Sequence, residues 1–518
     1  MTAKSRYDVL SSERSQYLNV AKQASELTIP YLVREDDSAT GARKLATPWQ
    51  SVGAKGVVTL AAKLMLSLLP PQTSFFKLQV EESKLGEQGA QLKSELDLAF
   101  AKVERTILES IAASDDRVVV HQAMKHLVVA GNALIFMGKE GLKLFPLNRY
   151  VIDRDGNGNV IEIVTKESIN KKVVEELMPN LKKGEVSDYN DDENSDCDVY
   201  THVTIKNNRV SWQQEVFDKV IPKSVSKAPA SISPWIPLRF NTVDGEAYGR
   251  GRVEEFMGDL KSLEALSQAL VEGSAAAAKV VFTVSPSAST KPATLAAAGN
   301  GAIIQGRPDD IGVVQVGKGA DFQTAYQAAG TLEKRLSEAF LILSVRQSER
   351  TTAEEVRITQ MELEQQLGGL FSLLTVEFLV PYLDRKLSVL QKNKIIPSIP
   401  KDIVKPTIVA GINALGRGQD RESLGMFLQT IAQTMGPEAI GQYINPDEVI
   451  KRLAAASGID VLNLVKSMQE IQGQQQQQMQ QQMAMQQQQN APAMAAVEQK
   501  QLQAEMQMAQ QAQQQPPR

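Results

Sequence analysis

The sequence predicts an α+β protein in which helix dominates, and three patterns predict it. Apolar residues recur every three to four positions before about residue 125 and again after Gly251. Between these regions, short β-branched runs alternate with Gly, Asn and Asp turns. Two long helix-periodic segments near the C-terminal third are then separated by one polar break, SVRQSERTTAEEV, residues 344–356.

Composition narrows the function classes. A chain of 518 residues can build about three or four domain-sized units with a sizeable core. The apolar share, 42%, is slightly low, and a glutamine-rich tail accounts for part of the deficit. A net charge of −4 argues against a basic coat for wrapping nucleic acid. The single cysteine, Cys197, excludes disulfide frameworks and Cys-rich zinc sites and fits a reducing compartment. Met1–Ser15 is mostly polar and lacks the apolar core of a secretion signal. Val57–Leu69 is broken by Lys63, ends at Pro70-Pro71 and is too short to span a bilayer. The expectation is a soluble protein made inside a cell, with no membrane role.

Each element follows from its pattern. TPWQSVGAKGVVTLAAKLMLSLLPP places Val52, Leu60, Leu64 and Leu68 on one helix face and stops at the proline pair. QLKSELDLAFAKVERTILESIAAS and DDRVVVHQAMKHLVVAGN give two more helices, the second stopped at Gly131-Asn132. The runs ALIFM, LKLFPL, RYVIDR, NVIEIVT, VYTHVTI and RVSWQQEV read as strands. Residues 185–198, EVSDYNDDENSDCD, hold seven acidic residues in fourteen and read as a solvated loop. After Gly251, Val253, Phe256, Met257, Leu260, Leu263 and Leu270 mark an apolar stripe leading to GSAAAA, where small side chains allow close helix approach. A Gly/Pro/Ser/Ala-rich segment with short β runs continues to Gly317. Phe322, Ala325, Tyr326, Ala329, Leu332, Leu336, Phe340 and Leu343 then trace a rod of about 35 Å at about 1.5 Å per residue. A further helix runs from Thr352 to about Lys394, with a bend expected at Gly368-Gly369. Residues 397–470 read as a smaller helical region. The tail, Gln472–Arg518, holds 22 glutamines in 47 residues, and helix and disorder are equally open there.

Catalytic and ligand motifs fail on inspection. GVVQVGKG, residues 312–319, imitates a phosphate-binding loop, yet Gly319 stands where Ser or Thr must ligate magnesium, and its interior is strand-like. DRDGNGNVIEIV, residues 153–164, imitates a calcium loop, yet Val164 replaces the bidentate acid, so a hairpin turn at Asp155–Gly158 is expected. Gly249 and Gly251 lack the third glycine of a dinucleotide fingerprint and read as a turn before a helix. His121, His126 and His202 have no metal spacing, and no nucleophile–base set is evident. No enzyme activity, cofactor or metal is expected.

Several long blocks in one order carry a family resemblance: TPWQSVGAKGVVTLAAKLMLSLLP (47–70), HLVVAGNALIF (126–136), DGEAYGRGRVEEFMGDLKSLEAL (244–266), TTAEEVR (351–357) and ALGRGQDRESL (414–424). Over about residues 40–470 the chain resembles the portal, or head-to-tail connector, proteins of short-tailed bacteriophages. The resemblance implies a dodecameric ring at one capsid vertex, serving as the conduit for genome packaging and ejection. It further implies an α+β wing (1–250), stem helices (251–278 and 321–343), a clip (279–320), a channel loop (344–351), a long bent wing helix (352–396) and a helical crown (397–470). Residues 471–518 would extend the crown as a tail or barrel. Expected partners are further copies of the chain, double-stranded DNA passing without sequence preference, the packaging ATPase (terminase), tail adaptors, major capsid and scaffolding proteins, and internal core proteins. The resemblance places the chain at the portal vertex of a virion assembled in the cytoplasm of a bacterial host. Another ring-forming virion protein, such as a tail adaptor, is the alternative.

Within this frame Arg346, Gln347, Ser348, Glu349 and Arg350 would face DNA as rings repeated around the channel. From the residues alone, an ordinary polar linker between helices is the competing account. Thr351 or Thr352 can cap the next helix, with Glu354 or Glu355 three residues on completing a capping box. Ala275, Ala276, Leu332, Leu336 and Phe340 are the expected stem-packing residues.

Overall fold

The computed structural model describes residues 1–34, 45, 47–71, 75–80, 89–139, 141–178, 196–277, 281–299, 301–314, 319–342, 369–397, 404–408, 416–436, 444, 449–450, 453 and 500–508. The chain divides into two compact units, Met1–Gly89 with Ala99–Gly416, and Ala90–Leu98 with Arg417–Arg518. It is mainly helical with several small sheets.

The first unit opens with α1 (Ala3–Glu26), whose first turn is capped by the Thr2 hydroxyl accepting from the Ser5 amide at 3.3 Å. Then follow α2 (Val52–Leu68), β1 (Phe76–Val80), α3 (Gly89–Ala112, of which Ala90–Leu98 is counted with the second unit) and α4 (Asp116–Ala130). Helices α2 and α4 bury matching stripes, Val57, Leu60, Leu64 and Leu68 against Val120, Ala123, Met124 and Leu127. Burial of each Val, Leu or Met side chain here contributes about 1.5–3 kcal/mol. Helix α4 stops where expected, at Gly131, which takes the left-handed conformation (φ 72°) that a C-terminal cap requires.

The strand block follows as β2 (Asn132–Met137), β3 (Leu142–Phe145), β4 (Tyr150–Arg154), β5 (Val160–Asn170), α5 (Lys171–Leu177), β6 (Asp196–Lys206), β7 (Arg209–Val216), β8 (Lys219–Val220), β9 (Ser226–Pro229) and β10 (Trp235–Arg239). Two antiparallel sheets result, β10-β2-β3 and β4-β5-β6-β7-β8, with β9 also paired to β7. The imitation calcium loop is the β4–β5 turn: the Asp155 carboxylate accepts from the amides of Asn157 (3.0 Å) and Asn159 (2.7 Å). Helix α1 lies on the larger sheet, with Ala3, Tyr7 and Leu10 packed against Val151, Val164 and Tyr200. The last three residues of the acidic stretch, Asp196–Asp198, belong to β6.

After β10 the chain forms α6 (Arg252–Glu255) and α7 (Met257–Ala277), separated at Phe256. It continues through β11 (Val281–Val284), α8 (Pro292–Ala297) and β12 (Ile311–Val314) into α9 (Gly319–Ala339). Strands β11 and β12 form an antiparallel pair. The imitation phosphate loop thus begins inside a strand and ends at the first residue of a helix.

The last long helix is described from α10 (Leu370–Leu374) through a π-helical turn (Thr375–Leu379) to α11 (Val380–Lys392). Pro381 explains the wide turn: its ring has no N–H and would clash with the carbonyl one turn back. Two strands correct the helical readings of the flanking regions: β13 (Val404–Ile408) pairs with β1 across more than 320 residues. Alternation in FKLQV and Pro406 in VKPTI both disfavour helix. The second unit contains α12 (Gly416–Met435), most of whose described side chains are exposed, and a helical stretch at 500–508.

Candidate functional site: the paired rods and their base

Helices α7 and α9 pack as antiparallel rods, because contacts match opposite ends. At the β11 end the Phe322 ring tip lies where a side chain on Gly273 would stand, so a larger residue there would push the ring aside. At the other end Phe256 and Phe340 have ring centroids 6.0 Å apart, and Arg335 Nη2 donates to both Asp259 oxygens at 2.6 and 2.8 Å.

The base of the rods is fixed by α2 and the residues just before it. The Glu264 carboxylate accepts from the amides of Trp49 (2.8 Å) and Gln50 (3.3 Å). Phe340 seats on Gly56, where an added Cβ would stand 2.7 Å from the ring. Lys63 Nζ donates to the Leu341 carbonyl at 2.9 Å, and Arg252 Nη2 reaches the Ala339 carbonyl at 3.4 Å. Both cations sit at the negative end of the α9 dipole.

A second knot joins the end of α4 to the start of α6. Gly131 meets the backbone of Gly249–Gly251, with Cβ clearances of 2.5–2.6 Å that no other residue tolerates. Buried Asn132 bridges the same segment, donating to Gly249 O at 2.7 Å and accepting from Gly249 N at 2.7 Å. The Gly249/Gly251 pair is therefore a close-packing device that leads into a helix, as expected, with a role in tertiary contact that spacing did not reveal.

A third tie comes from the π-turn. Glu377 accepts from the Arg239 amide (2.9 Å) and its guanidinium (2.9 and 2.5 Å), and lies 4.0 Å from Arg154. Burial and the neighbouring Arg239 push Arg154 down to about 10. His126 is buried in α4, and loss of hydration pushes it down to about 4.

Of the expected stem residues, Leu336 and Phe340 are fully buried and Leu332 is half-buried. Ala275 and Ala276 are exposed in the single chain. Tyr326, placed on the rod stripe by spacing, is 73% exposed, and Val271 on α7 is 52% exposed. Arg346, Gln347, Ser348, Glu349, Arg350, Thr351, Thr352, Glu354 and Glu355 lie outside the described residues. Sequence reasoning missed Gly56, Lys63, Asn132, Glu264 and Glu377, whose roles depend on distant partners. Among the described residues no cluster of His, Cys, Asp or Glu could hold a metal, and no helix is long and apolar enough to cross a membrane.

Comparison with known proteins adds an independent line. The family described as bacteriophage head to tail connecting protein matches residues 1–465. The portal protein of Escherichia phage T7 is 37% identical over 486 residues, covering 91% of this chain and 89% of the relative. That of Enterobacteria phage T3 is 37% identical with the same coverage, 91% and 89%. That of Enterobacteria phage SP6 is 30% identical over 438 residues, covering 82% of each. Among solved structures, the neck of an empty GTA particle aligns over 73% of this chain and 86% of that one at 11% identity, with a TM-score of 0.35, a likeness too loose to define the fold.

Proposed function

Because the chain belongs to the bacteriophage head to tail connecting protein family, we propose that it is the portal of a short-tailed phage, a ring at one capsid vertex through which the genome enters and leaves. The observation that carries this reading is the span of the match, residues 1–465, together with a 37% identical portal relative over nine-tenths of the chain. Membership makes the protein a structural virion component at the head–tail junction, not an enzyme.

The finer reading has twelve copies around one axis. Rods α7 and α9 form the stem, the β11–β12 region the clip, residues 1–250 the wing, and residues 397–470 the crown. The exposed Tyr326, Val271, Ala275 and Ala276 support it, since a lone chain leaves these rod surfaces in water and neighbouring copies would cover them. In this reading the clip docks the packaging ATPase and then the tail adaptor, capsid and scaffolding proteins meet the wing, and internal core proteins meet the crown. Chemical work belongs to the ATPase.

Charge sets how such a channel handles DNA. A uniformly basic bore would grip the duplex, whose charge is about one per 1.7 Å. Twelve copies at −4 carry about −48 in total, so overall repulsion with sparse Arg346 and Arg350 rings favours passage. Negative-stain images of the purified protein test the assembly: annular particles with a central hole are expected, and a compact monomer at high concentration refutes it. Complementation of a phage lacking its portal tests the activity, with DNA-filled heads expected.

A further inference from the structure

The end of α9 is held more firmly than helix packing requires. Its last residues close with Phe340 N donating to Leu336 O at 2.9 Å and Leu341 N donating to Glu338 O at 3.1 Å. Leu341 then takes φ 58°, the left-handed region, which a branched, buried side chain rarely adopts and which persists only where surroundings impose it. Those surroundings are specific. Phe340 is plugged onto Gly56 and stands against Phe256. Arg252 reaches the Ala339 carbonyl, and Lys63 donates to the carbonyl of Leu341 itself.

Gly56 and Lys63 are seven residues apart, two turns of α2, so the cradle and the cation lie on one helix face. Leu60, between them on the same face, is fully buried. Lys63 is half-buried beside this face, and its ammonium donates to the Leu341 carbonyl at 2.9 Å. A methionine or leucine would pack there too. What the ammonium adds over those side chains at this point is its bond to the Leu341 carbonyl.

We propose that Lys63 is a positioning residue for DNA transport: by binding the Leu341 carbonyl it keeps the left-handed turn and so fixes the direction in which the chain leaves the α9 rod. The inference rests on the portal reading above, in which the segment after α9 leads to the channel. Packing alone needs Phe340 in its glycine cradle; the direction of exit needs Lys63.

The test uses the full-length protein in a complementation assay, scoring ring formation, thermal stability of the rings and DNA-filled heads per assembled ring. Lys63→Met keeps the aliphatic stem and loses the ammonium. The expected result is rings of near-normal heat resistance with at least tenfold fewer filled heads, and recovery of most of that loss by Lys63→Arg. Filled heads at the wild-type level for Lys63→Met would overturn the proposal while leaving the portal reading intact. Failure of the wild-type chain itself to complement would instead overturn the portal reading. If Lys63→Met rings do not form, co-expression with wild type gives mixed rings. Filling that falls as the mutant share rises upholds the positioning role, and filling that tracks only ring yield rejects it.

Discussion

At the scale of single residues, the decisive contacts are short and specific. Asn132 satisfies both backbone groups of Gly249 inside the protein, so Asn132→Ala leaves them buried without partners. It should destabilise by about 2–3 kcal/mol, measured by denaturant unfolding. His126 gives a pH signature. The folded protein keeps its ring neutral down to about 4, whereas the unfolded chain takes a proton near 6.5. The unfolded state therefore binds more protons in that window, and stability falls as pH drops through it, by up to about 3 kcal/mol. His126→Leu should flatten this part of the stability–pH curve, comparing unfolding at pH 7.5 and pH 5. Neither residue was readable as such. The sequence marks Gly131-Asn132 as a helix stop, which is local chemistry, but their partner lies 117 residues away.

At the scale of elements, local pattern and long-range pairing part company. The six strand runs, the Asp155–Gly158 turn and the end of α4 were legible because alternation and turn residues act within a few positions. The β1–β13 pair was not, since no short window identifies a partner so far along the chain. The π-turn was hidden by a helical periodicity that it shares, although Pro381 marked the place. Its Glu377 joins the helix to β10 and β4. Glu377→Ala leaves Arg239 and Arg154 buried without their carboxylate and should cost about 3–5 kcal/mol, with a clear fall in melting temperature. Adding Arg239→Leu should recover part of that loss. On the rods, Ala275→Leu should leave the unassembled chain within about 0.5 kcal/mol of wild type, because the site is open to solvent there. In rings the same change should overpack the subunit contact and lower their melting temperature, costing about 1–3 kcal/mol per subunit.

For the whole molecule, family and task were legible from long blocks in fixed order, and the structure gives two pairs of those blocks a common physical reason. Blocks 47–70 and 244–266 meet at the base of the rods, and blocks 126–136 and 244–266 meet at the glycine knot. Deleting Arg346–Arg350 should leave rings assembling, judged by electron microscopy, while lowering DNA retained per head. Loss of the rings themselves would make that segment structural and remove its channel role. The seating of Phe322 on Gly273 carries a last consequence. The described stretches 281–299 and 301–314 lie in the chain between two rods that already pack on each other at that end. Replacing those stretches should therefore leave the Phe322–Gly273 seat and the rods beneath it intact, as a handle is indifferent to a new blade.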